Sequence, residues 1–496
     1  MEYAIGVIDI GMTNKKVAVY DDSLRQLDAR YQNFNPKIVN NLETHDLEAM
    51  EAWFIDELRT FAEKYPIKAL AVSAHGGTFV CLGKDGKSVL PSIYYTHEPG
   101  GHFHQAFYKR FGNAQELQAR TGTPAFMAMI NAAKGITFTR EQFKEDYKNV
   151  SAMLPYPQYW GFRFTGKMGM ESTYMGNHTY LWDQVDNNFS TVARKLGVDL
   201  LMPDKLCKSW DTLGTISEEF SKKTRLTKDT IVTMGIHDSN SALLPHFAKK
   251  REQGFILNST GTWCVIMNPV EKYGFSPDEL GKAVLFNISA FGKPIKTAIF
   301  MGGMQFESWS QQIMKWYGRS DFPCWNEALF RSILKEKKLF LLPEILPGSG
   351  QFPFSKARIV ENGRTYFFDA AGTLLTFFPD YEKSFAALHL SLLMQTLTAL
   401  DRIGIKNGYE VFTEGGFRKD ESYNRLLASA LPDNRVCVTD ISEATALGTA
   451  MTAKMALCGK SLNDLAGDFE VSYQEQEKSS FPELEAYRDA WLAEAD

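Results

Sequence analysis

Hydrophobic and polar residues alternate along two separated segments of the chain, and each segment predicts a β-hairpin. The first, GVIDIGMTNKKVAVYDD at residues 6–22, has an apolar strand, a short polar turn and a second strand of alternating character. A period of two residues is typical of a β-strand, whereas an amphipathic helix repeats every 3.6 residues. The second segment, GFILNSTGTWCVIMNP at residues 254–269, has the same arrangement half a chain later. This repetition predicts two domains of related topology, each contributing one hairpin to a shared cleft.

Both hairpin turns carry residue types that suit phosphate binding. Backbone N–H groups at a tight glycine turn form a concavity for anions, and hydroxyl and ammonium groups add further donors. Because a strand and not a helix follows each turn, neither a P-loop nor a dinucleotide-binding fingerprint is present. A structural hairpin made of turn-favoured residues is the alternative. The candidate phosphate ligands are Gly11, Thr13, Asn14 and Lys16 in the first turn, and Gly261 and Thr262 in the second.

Two aspartates at the ends of apolar strands are candidates for chemistry. Asp9 needs a partner if it is buried, and a hydrated Mg²⁺ would suit it, with a hydrogen bond to the turn as the alternative. Asp238 precedes a helix and could be its N-cap. In a cleft between two phosphate hairpins, Asp238 would instead accept a proton from an attacking alcohol. Phosphoryl transfer has a loose transition state, so an aspartate with an ordinary pKa of about 3.9 is an adequate base.

A second group of residues is a candidate for ligand contacts. Gly415 and Gly416 follow a predicted strand, and two glycines would let a flat adenine lie against the backbone. The candidates for contact with a polyhydroxylated substrate are His75, Gly76, Glu171 and His178. A structural glycine turn and structural histidines with their hydrogen bonds satisfied explain the same residues without a ligand, and both interpretations are open at this point.

Composition excludes several classes of protein. With 496 residues, of which 44% are hydrophobic and 23% charged, the chain is long enough for two large globular domains. A net charge of -5 gives no electrostatic reason to expect a nucleic acid or an anionic membrane as partner. No apolar run approaches the roughly 18 residues of a membrane helix, and no secretory signal is recognisable. Six scattered cysteines without a CxxC pair indicate reduced thiols in the cytoplasm and argue against zinc.

Five segments, taken in order, resemble the FGGY family of carbohydrate kinases, within the superfamily of actin, heat-shock chaperones and sugar kinases. They are GVIDIGMTNKKVAVYD, LGTISEEFSKKTRLTKDTIVTMGIHDSNSA, NSTGTW, FTEGGFRKDESYNRLLASAL and EATALGTAMTA. The resemblance implies an α/β fold with two ribonuclease-H-like domains flanking a central cleft. It implies an N-terminal sugar-binding domain at 1–247, a C-terminal ATP-binding domain at 248–465 and a helical C-terminal tail at 466–496.

The resemblance also assigns roles. Asp238 is similar to the family's catalytic base, and it also counts among the substrate contacts. The first turn, with Asp9 as the residue nearest to Mg²⁺, resembles the first phosphate motif. The second turn resembles the second phosphate motif, and the glycine pair at 415–416 resembles the adenosine motif. The implied cofactors are ATP and Mg²⁺, and the implied partner is a small sugar, with a homodimer left open as the assembly.

The expected reaction is ATP-dependent phosphorylation of a ketose or polyol in carbohydrate catabolism. Trp263, in GTW, is similar to the fuculokinase and rhamnulokinase branches and favours a 6-deoxy-ketohexose such as L-fuculose or L-rhamnulose. Met12 and Glu414 replace a threonine and a glycine that are common in the family, and the sugar-side motif is altered at Glu171 and His178. Pentulose-type and glycerol-type kinases remain alternatives. Outside the enzyme class, an ATP-binding switch or an inactive sugar-binding regulator is also open.

Overall fold

The computed structural model describes residues 2–249, 254–346, 348–367, 380–441 and 443–495. Its two largest sheets each have seven strands, numbered here β1–β14 along the chain. The strands of the N-terminal sheet are β1 (Ala4–Ile10), β2 (Asn14–Asp21), β3 (Gln26–Asn33), β4 (Ile67–Ala74), β5 (Thr212–Thr215), β6 (Ile231–Thr233) and β7 (Ile236–His237). Those of the C-terminal sheet are β8 (Phe255–Thr260), β9 (Cys264–Pro269), β10 (Val284–Ile288), β11 (Pro294–Phe300), β12 (Glu410–Gly415), β13 (Arg435–Thr439) and β14 (Tyr473–Glu475).

The two sheets share a topology. The N-terminal sheet has the order β5-β6-β4-β1-β2-β3, with β7 also paired to β4, and the C-terminal sheet has the order β10-β11-β9-β8-β12-β13-β14. In each sheet the two strands of a hairpin, β1–β2 or β8–β9, run antiparallel. The first strand of each hairpin also pairs in parallel with a later strand, β4 or β12. The predicted α/β fold with two related halves and two hairpins is confirmed.

Helices cover both sheets. In the N-terminal half they are Leu47–Ala62, Gly101–Phe111, Ala114–Thr121, Ala132–Gln142, Tyr156–Thr165, Ser172–Met175, Thr191–Leu196, Glu218–Thr224 and Asp238–Lys249. In the C-terminal half they are Gly302–Tyr317, Glu327–Glu336, Tyr381–Arg402, Glu421–Ala430, Ala444–Cys458 and Leu484–Ala495. Short strands form smaller sheets: Lys37–Val39 with Leu42–Thr44, Phe79–Leu82 with Ala152–Pro155, Met170–Glu171 with Leu206–Cys207, Trp182–Asp183 with Asn188–Phe189, and Leu339–Leu342 with Arg358–Glu361 and Arg364–Phe367.

Two helices connect the halves. The linking helix, Asp238–Lys249, begins directly after β7, and the small-residue helix, Ala444–Cys458, crosses it closely. A Cβ atom on Gly448 would lie 1.9 Å from the carbonyl oxygen of Ser241, so only glycine permits this crossing distance. The small-residue helix belongs to the C-terminal half, yet it completes the core under the N-terminal sheet. That core includes Ile5, Val7, Ala446, Ala450 and Met451.

The segment after residue 465 requires a correction to the expected helical tail. Residues Tyr473–Glu475 form β14, which extends the C-terminal sheet beside β13. The last helix then buries Tyr487 and Trp491 completely in the C-terminal core. The strand was missed because three residues are too few to display a period of two. The segment is therefore an integral part of the C-terminal half.

None of the helices in the described ranges combines the length and the apolar composition that a bilayer span needs. All six cysteines are free, and three of them are buried. The predicted short hinge at 246–254 lies partly outside the described residues, since 250–253 are not among them.

Candidate active site

The first part of the site is formed by the carboxyl ends of three neighbouring parallel strands. Asp9 on β1 lies opposite Ser73 on β4, and His237 on β7 lies opposite the next residue of β4. Asp238 follows His237 and is the first residue of the linking helix. The register therefore brings Asp9 and Asp238, two aspartates that are more than 200 residues apart in sequence, to one edge of the sheet.

Burial raises the pKa of both aspartates above the ordinary aspartate value. The pKa of Asp9 is raised from 3.8 to about 6, mainly by burial and in part by the charge of Asp238, while a hydrogen bond from the Ser73 hydroxyl acts in the opposite direction. Burial also raises the pKa of Asp238 to about 6, against hydrogen bonds from Ser239 and the nearby His178. The Asp238 side chain nevertheless remains 30% exposed. A carboxylate with this accessibility and pKa can exchange a proton with a ligand near neutral pH.

The first hairpin turn is closed by its own backbone and by a lysine that the sequence analysis did not select. The Gly11 N–H donates to the carbonyl of Asn14 at 3.0 Å. The buried Lys15 ammonium donates to the carbonyl of Met12 at 2.8 Å and to that of Thr13 at 3.4 Å. Lys15 thus supports the turn from behind. Lys15 and Lys16 are neighbours on β2 and therefore point to opposite faces of the sheet. The sequence analysis selected Lys16 alone.

Lys16, a predicted phosphate ligand, contacts the C-terminal half in this structure. Its ammonium pairs with the carboxylate of Glu443, which directly precedes the small-residue helix, and donates to Gln26 Oε1 at 2.6 Å. Burial lowers the pKa of Lys16 to about 8, and the charge of Asp9 acts in the opposite direction. The contact with Glu443 shows that the first hairpin faces the carboxyl edge of the second sheet.

Three predicted substrate contacts, His75, Gly76 and His178, pack against each other beside Asp238. A Cβ atom on Gly76 would lie 2.5 Å from His178 Nε2, so the glycine makes room for the imidazole. His178 Nδ1 lies 2.8 Å from the Ile130 carbonyl oxygen, and its backbone has a positive φ of 21°. His75 Nδ1 lies 2.9 Å from the Gly76 carbonyl. The structure brings these residues together, and their contact with a substrate stays a prediction.

His237 and Asn177 complete this cluster and were missed by the sequence analysis. The Asn177 amide nitrogen lies 2.5 Å from His237 Nε2, which is itself 3.2 Å from Asp238 Oδ1. Burial lowers the pKa of His75 and His237 to about 3 and that of His178 to about 4. Each imidazole is therefore neutral at pH 7, with one nitrogen as donor and the other as acceptor. The adjacency of His237 to Asp238 in GIHD was the available signal.

Glu171 lies behind the cluster and not on its surface. The residue is fully buried, and its carboxylate accepts hydrogen bonds from the backbone N–H groups of Thr173 and Tyr174 as the N-cap of Ser172–Met175. The hydroxyl of Ser209 donates to the same carboxylate at 2.7 Å. This position corrects the expectation of direct contact between Glu171 and a sugar, because its oxygens are already used within the fold.

The second hairpin turn and the glycine pair lie side by side at the edge of the C-terminal sheet. Thr260, at the end of β8, lies opposite Gly415, at the end of β12. Gly415 has φ +79°, and a Cβ atom there would lie 1.9 Å from the Thr260 carbonyl oxygen. The exposed Gly261 and Thr262 form the neighbouring turn, closed by a hydrogen bond from the Gly261 N–H at 2.9 Å. The predicted nucleotide residues are thus adjacent.

A cavity of about 620 Å³ opens beside these turns. Its size is within the range of small-molecule sites, and its wall combines aromatic rings with exposed backbone, as such sites commonly do. The aromatic part was missed by the sequence analysis, because its rings come from three separate segments that only the fold unites. Residues lining the cavity include Gly261, Thr262, Phe306, Trp325, Gly416 and Phe417.

The donor set suits a hydrated divalent cation at the edge of the first sheet. No group of three or more metal-ligating side chains occurs among the residues that the structure describes. Mg²⁺ is commonly held by one or two carboxylates together with waters and phosphate oxygens. Asp9, close to Asp238 and Lys16, provides a carboxylate of this kind.

Comparison with known proteins gives a consistent family assignment. Residues 4–245 match the N-terminal domain of the FGGY family of carbohydrate kinases, and residues 252–461 match the carbohydrate kinase FGGY C-terminal domain. A rhamnulokinase from Ligilactobacillus salivarius is 26% identical over 228 residues, which are 43% of this chain and 44% of that protein. A rhamnulokinase from Bacteroides thetaiotaomicron is 22% identical over 222 residues, 45% of each chain. The chain thus spans less than half the length of these curated relatives.

Solved structures align over nearly the whole chain. A carbohydrate kinase from Novosphingobium aromaticivorans has a TM-score of 0.79 and 25% identity, covering 99% of this chain and 98% of that one. A xylulose kinase from Lactobacillus acidophilus has the same TM-score of 0.79 with 16% identity, covering 99% and 96%. At that identity the second likeness concerns the fold alone.

Proposed function

Because the chain belongs to the FGGY family of carbohydrate kinases, we propose that it transfers the terminal phosphoryl group of ATP to a hydroxyl of a ketose or related polyol. One observation carries the proposal. A partly exposed aspartate, Asp238, stands among neutral histidines at one sheet edge, and the two glycine turns of the second sheet border a cavity of about 620 Å³ at the other. These are an acceptor site and a donor site.

Asp238 is the proposed general base. Its carboxylate would accept the proton of the attacking hydroxyl, while positioning and charge neutralisation provide most of the rate enhancement. His75 and His178 use Nδ1 on a backbone carbonyl, and His237 uses Nε2 on Asn177. Each of these neutral imidazoles would therefore have one ring nitrogen left for a hydroxyl of the substrate. A hydroxyl group can donate to or accept from such a nitrogen, so the cluster suits a polyhydroxylated molecule.

The donor site has one surface for the adenine ring of ATP and another for its phosphates. The adenosine of ATP would lie in the 620 Å³ cavity, against Phe306 and Phe417, with its phosphates directed toward Gly261 and Thr262. Mg²⁺ bound through Asp9 and phosphate oxygens would neutralise phosphate charge during transfer. Lys16 would exchange its contact with Glu443 for one with phosphate. Closure of the halves around both ligands would exclude water and limit hydrolysis of ATP.

A 6-deoxy-ketohexose is the first candidate substrate, and the rhamnulokinase relatives favour it. Trp263 gives this choice less support than the sequence suggested. It lies on the second hairpin, where its carbonyl accepts the hydrogen bond that closes the turn, and that hairpin is on the donor side. Pentuloses and glycerol are the alternatives.

The test is a coupled assay of ADP release with ATP, Mg²⁺ and a panel of L-rhamnulose, L-fuculose, xylulose, ribulose and glycerol. We expect one sugar to stimulate ADP release in proportion to phosphorylated product, measured by mass spectrometry. ATP hydrolysis that is independent of every sugar would instead indicate a nucleotide switch. Calorimetric binding of a sugar without turnover would indicate an inactive regulator, and either result would overturn the proposal.

A further inference from the structure

Glu171 is a buried carboxylate, and within the described part of the chain its hydrogen-bond donors are all neutral groups. Oε1 accepts from the Thr173 N–H at 2.9 Å and from the Ser209 hydroxyl at 2.7 Å, and Oε2 accepts from the Thr173 hydroxyl at 2.7 Å and from the Tyr174 N–H at 3.1 Å. Burying a carboxylate is costly, and Ser or Asn would cap a helix as well. Capping a four-residue helix therefore does not explain why a carboxylate is buried at this position.

Thr173 connects the Glu171 carboxylate to β7, the strand that precedes Asp238. Because the Thr173 hydroxyl donates its proton to Glu171, its oxygen can accept a further hydrogen bond. It accepts the His237 N–H at 3.0 Å. Asp238 is the next residue in the chain, so the hydrogen bond ends one peptide unit away from the proposed base.

The strand that carries His237 has few backbone hydrogen bonds to hold it in place. Strand β7 has two residues and pairs with β4 alone among the described strands. Gly235, with φ +87°, lies between β6 and β7. On the side of β7 away from β4, no described strand pairs with it. The Thr173 hydroxyl bonds the N–H of this short strand and links it to the segment that continues into Asn177 and His178.

We propose that Thr173, oriented by Glu171, is a positioning residue that holds the backbone at His237 and so sets the place of the Asp238 carboxylate relative to the sugar hydroxyl. This inference rests on the proposed function. It gives Glu171 an indirect part in the reaction in place of contact with the substrate. A displacement of the base by about 1 Å is enough to reduce turnover by about a hundredfold.

The experiment compares variants of the full chain with the sugar that the wild-type protein phosphorylates. Thr173→Val keeps the shape of the side chain but removes the hydroxyl, and Thr173→Ser restores it. Ser209→Ala is the matched control, because it removes another hydroxyl from the same carboxylate without touching His237. We expect Thr173→Val to lower kcat by about tenfold to a hundredfold with KM for ATP unchanged. Thr173→Ser and Ser209→Ala should stay within about threefold of wild type.

Glu171→Gln is the second variant, to be used with thermal unfolding curves in case Thr173→Val does not fold. An amide can still bond the Thr173 hydroxyl but no longer fixes it as a donor, so kcat should fall while KM for ATP stays constant. Unchanged kcat in the folded Thr173→Val protein, or an equal loss in Ser209→Ala, would overturn the inference and leave Glu171 as a cap. A wild-type protein that phosphorylates no sugar would refute the proposed function itself, a different result from an active enzyme that is insensitive to Thr173.

Discussion

At the scale of single residues, Asp238 combines accessibility with an environment that penalises its charge. It shares that environment with Asp9, whose charge it disfavours. Removing the carboxylate of Asp238 without changing its size should separate binding from reaction. We expect Asp238→Asn to fold and bind ATP but to lose about 10²- to 10⁴-fold in kcat, as is typical of general-base removal. Steady-state kinetics and calorimetry with ATP measure both quantities.

The control for this variant is Asp229→Asn. Asp229 is in the same half, its side chain is 68% exposed, and it pairs with Lys68 at 3.0 Å. Its replacement should leave kcat unchanged, because a surface ion pair contributes little. Turnover retained in Asp238→Asn would assign the proton to another acceptor.

The pH dependence of the reaction follows from the same carboxylate. A general base works in its deprotonated form, so kcat/KM should fall as the pH drops through the pKa of Asp238, about 6. Below this pKa, kcat/KM should fall by about tenfold per pH unit. The fall should be steeper if Asp9 must also be ionised, since the pKa of Asp9 is also about 6. Kinetics between about pH 5 and pH 8, with unfolding temperatures recorded at each pH, test this expectation. A limb near the ordinary aspartate pKa of about 3.9 would contradict it.

At the scale of elements, the turn after β12 is where backbone conformation decides ligand binding. Gly415→Ala places a Cβ atom 1.9 Å from the Thr260 carbonyl at a φ of +79°, so the turn must move away from the neighbouring hairpin. We expect the affinity for ATP to fall by at least about tenfold, measured by calorimetry. Gly416→Ala is the matched control, because its Cβ would lie at an ordinary 3.7 Å from the same carbonyl. Equal losses in both variants would mean that flexibility and not the close approach matters.

The last helix makes a separate prediction about stability. Trp491 is fully buried, and its indole N–H donates to the Leu341 carbonyl at 3.0 Å. Trp491→Ala should lower the free energy of unfolding by about 3–5 kcal/mol, measured by chemical denaturation. Phe354→Ala, at a site that is 85% exposed, should change it by less than about 0.5 kcal/mol. A small effect of Trp491→Ala would restore the view of a peripheral tail.

At the scale of the whole molecule, the crossing of the linking and small-residue helices holds the two halves together. Gly448→Ala would place a methyl group 1.9 Å from the Ser241 carbonyl oxygen and force the helices apart. We expect this variant to lose about 1–3 kcal/mol of stability, as overpacked interiors do, and to show a lower unfolding temperature.

Gly135→Ala is the control for the crossing. Gly135 is also inside a helix, but a Cβ atom there would approach no atom closer than 3.8 Å. Since alanine favours a helix over glycine by about 1 kcal/mol, this variant should be as stable as wild type or more so. Stabilisation by Gly448→Ala would show that the helices can separate without cost.

The sequence by itself determined the two hairpins, the two related halves and the position of Asp238 at a strand end. These features depend on the alternation of polar and apolar residues and on turn residues, which act over a few neighbouring positions. The tertiary structure alone decided the partner of Lys16, the support of the turn by Lys15 and the place of Glu171 behind the site. It also decided the aromatic cavity and the addition of β14 to the second sheet. Each of these depends on side chains from segments that are distant in sequence. A local pattern of residues does not indicate which distant segment will pack against it.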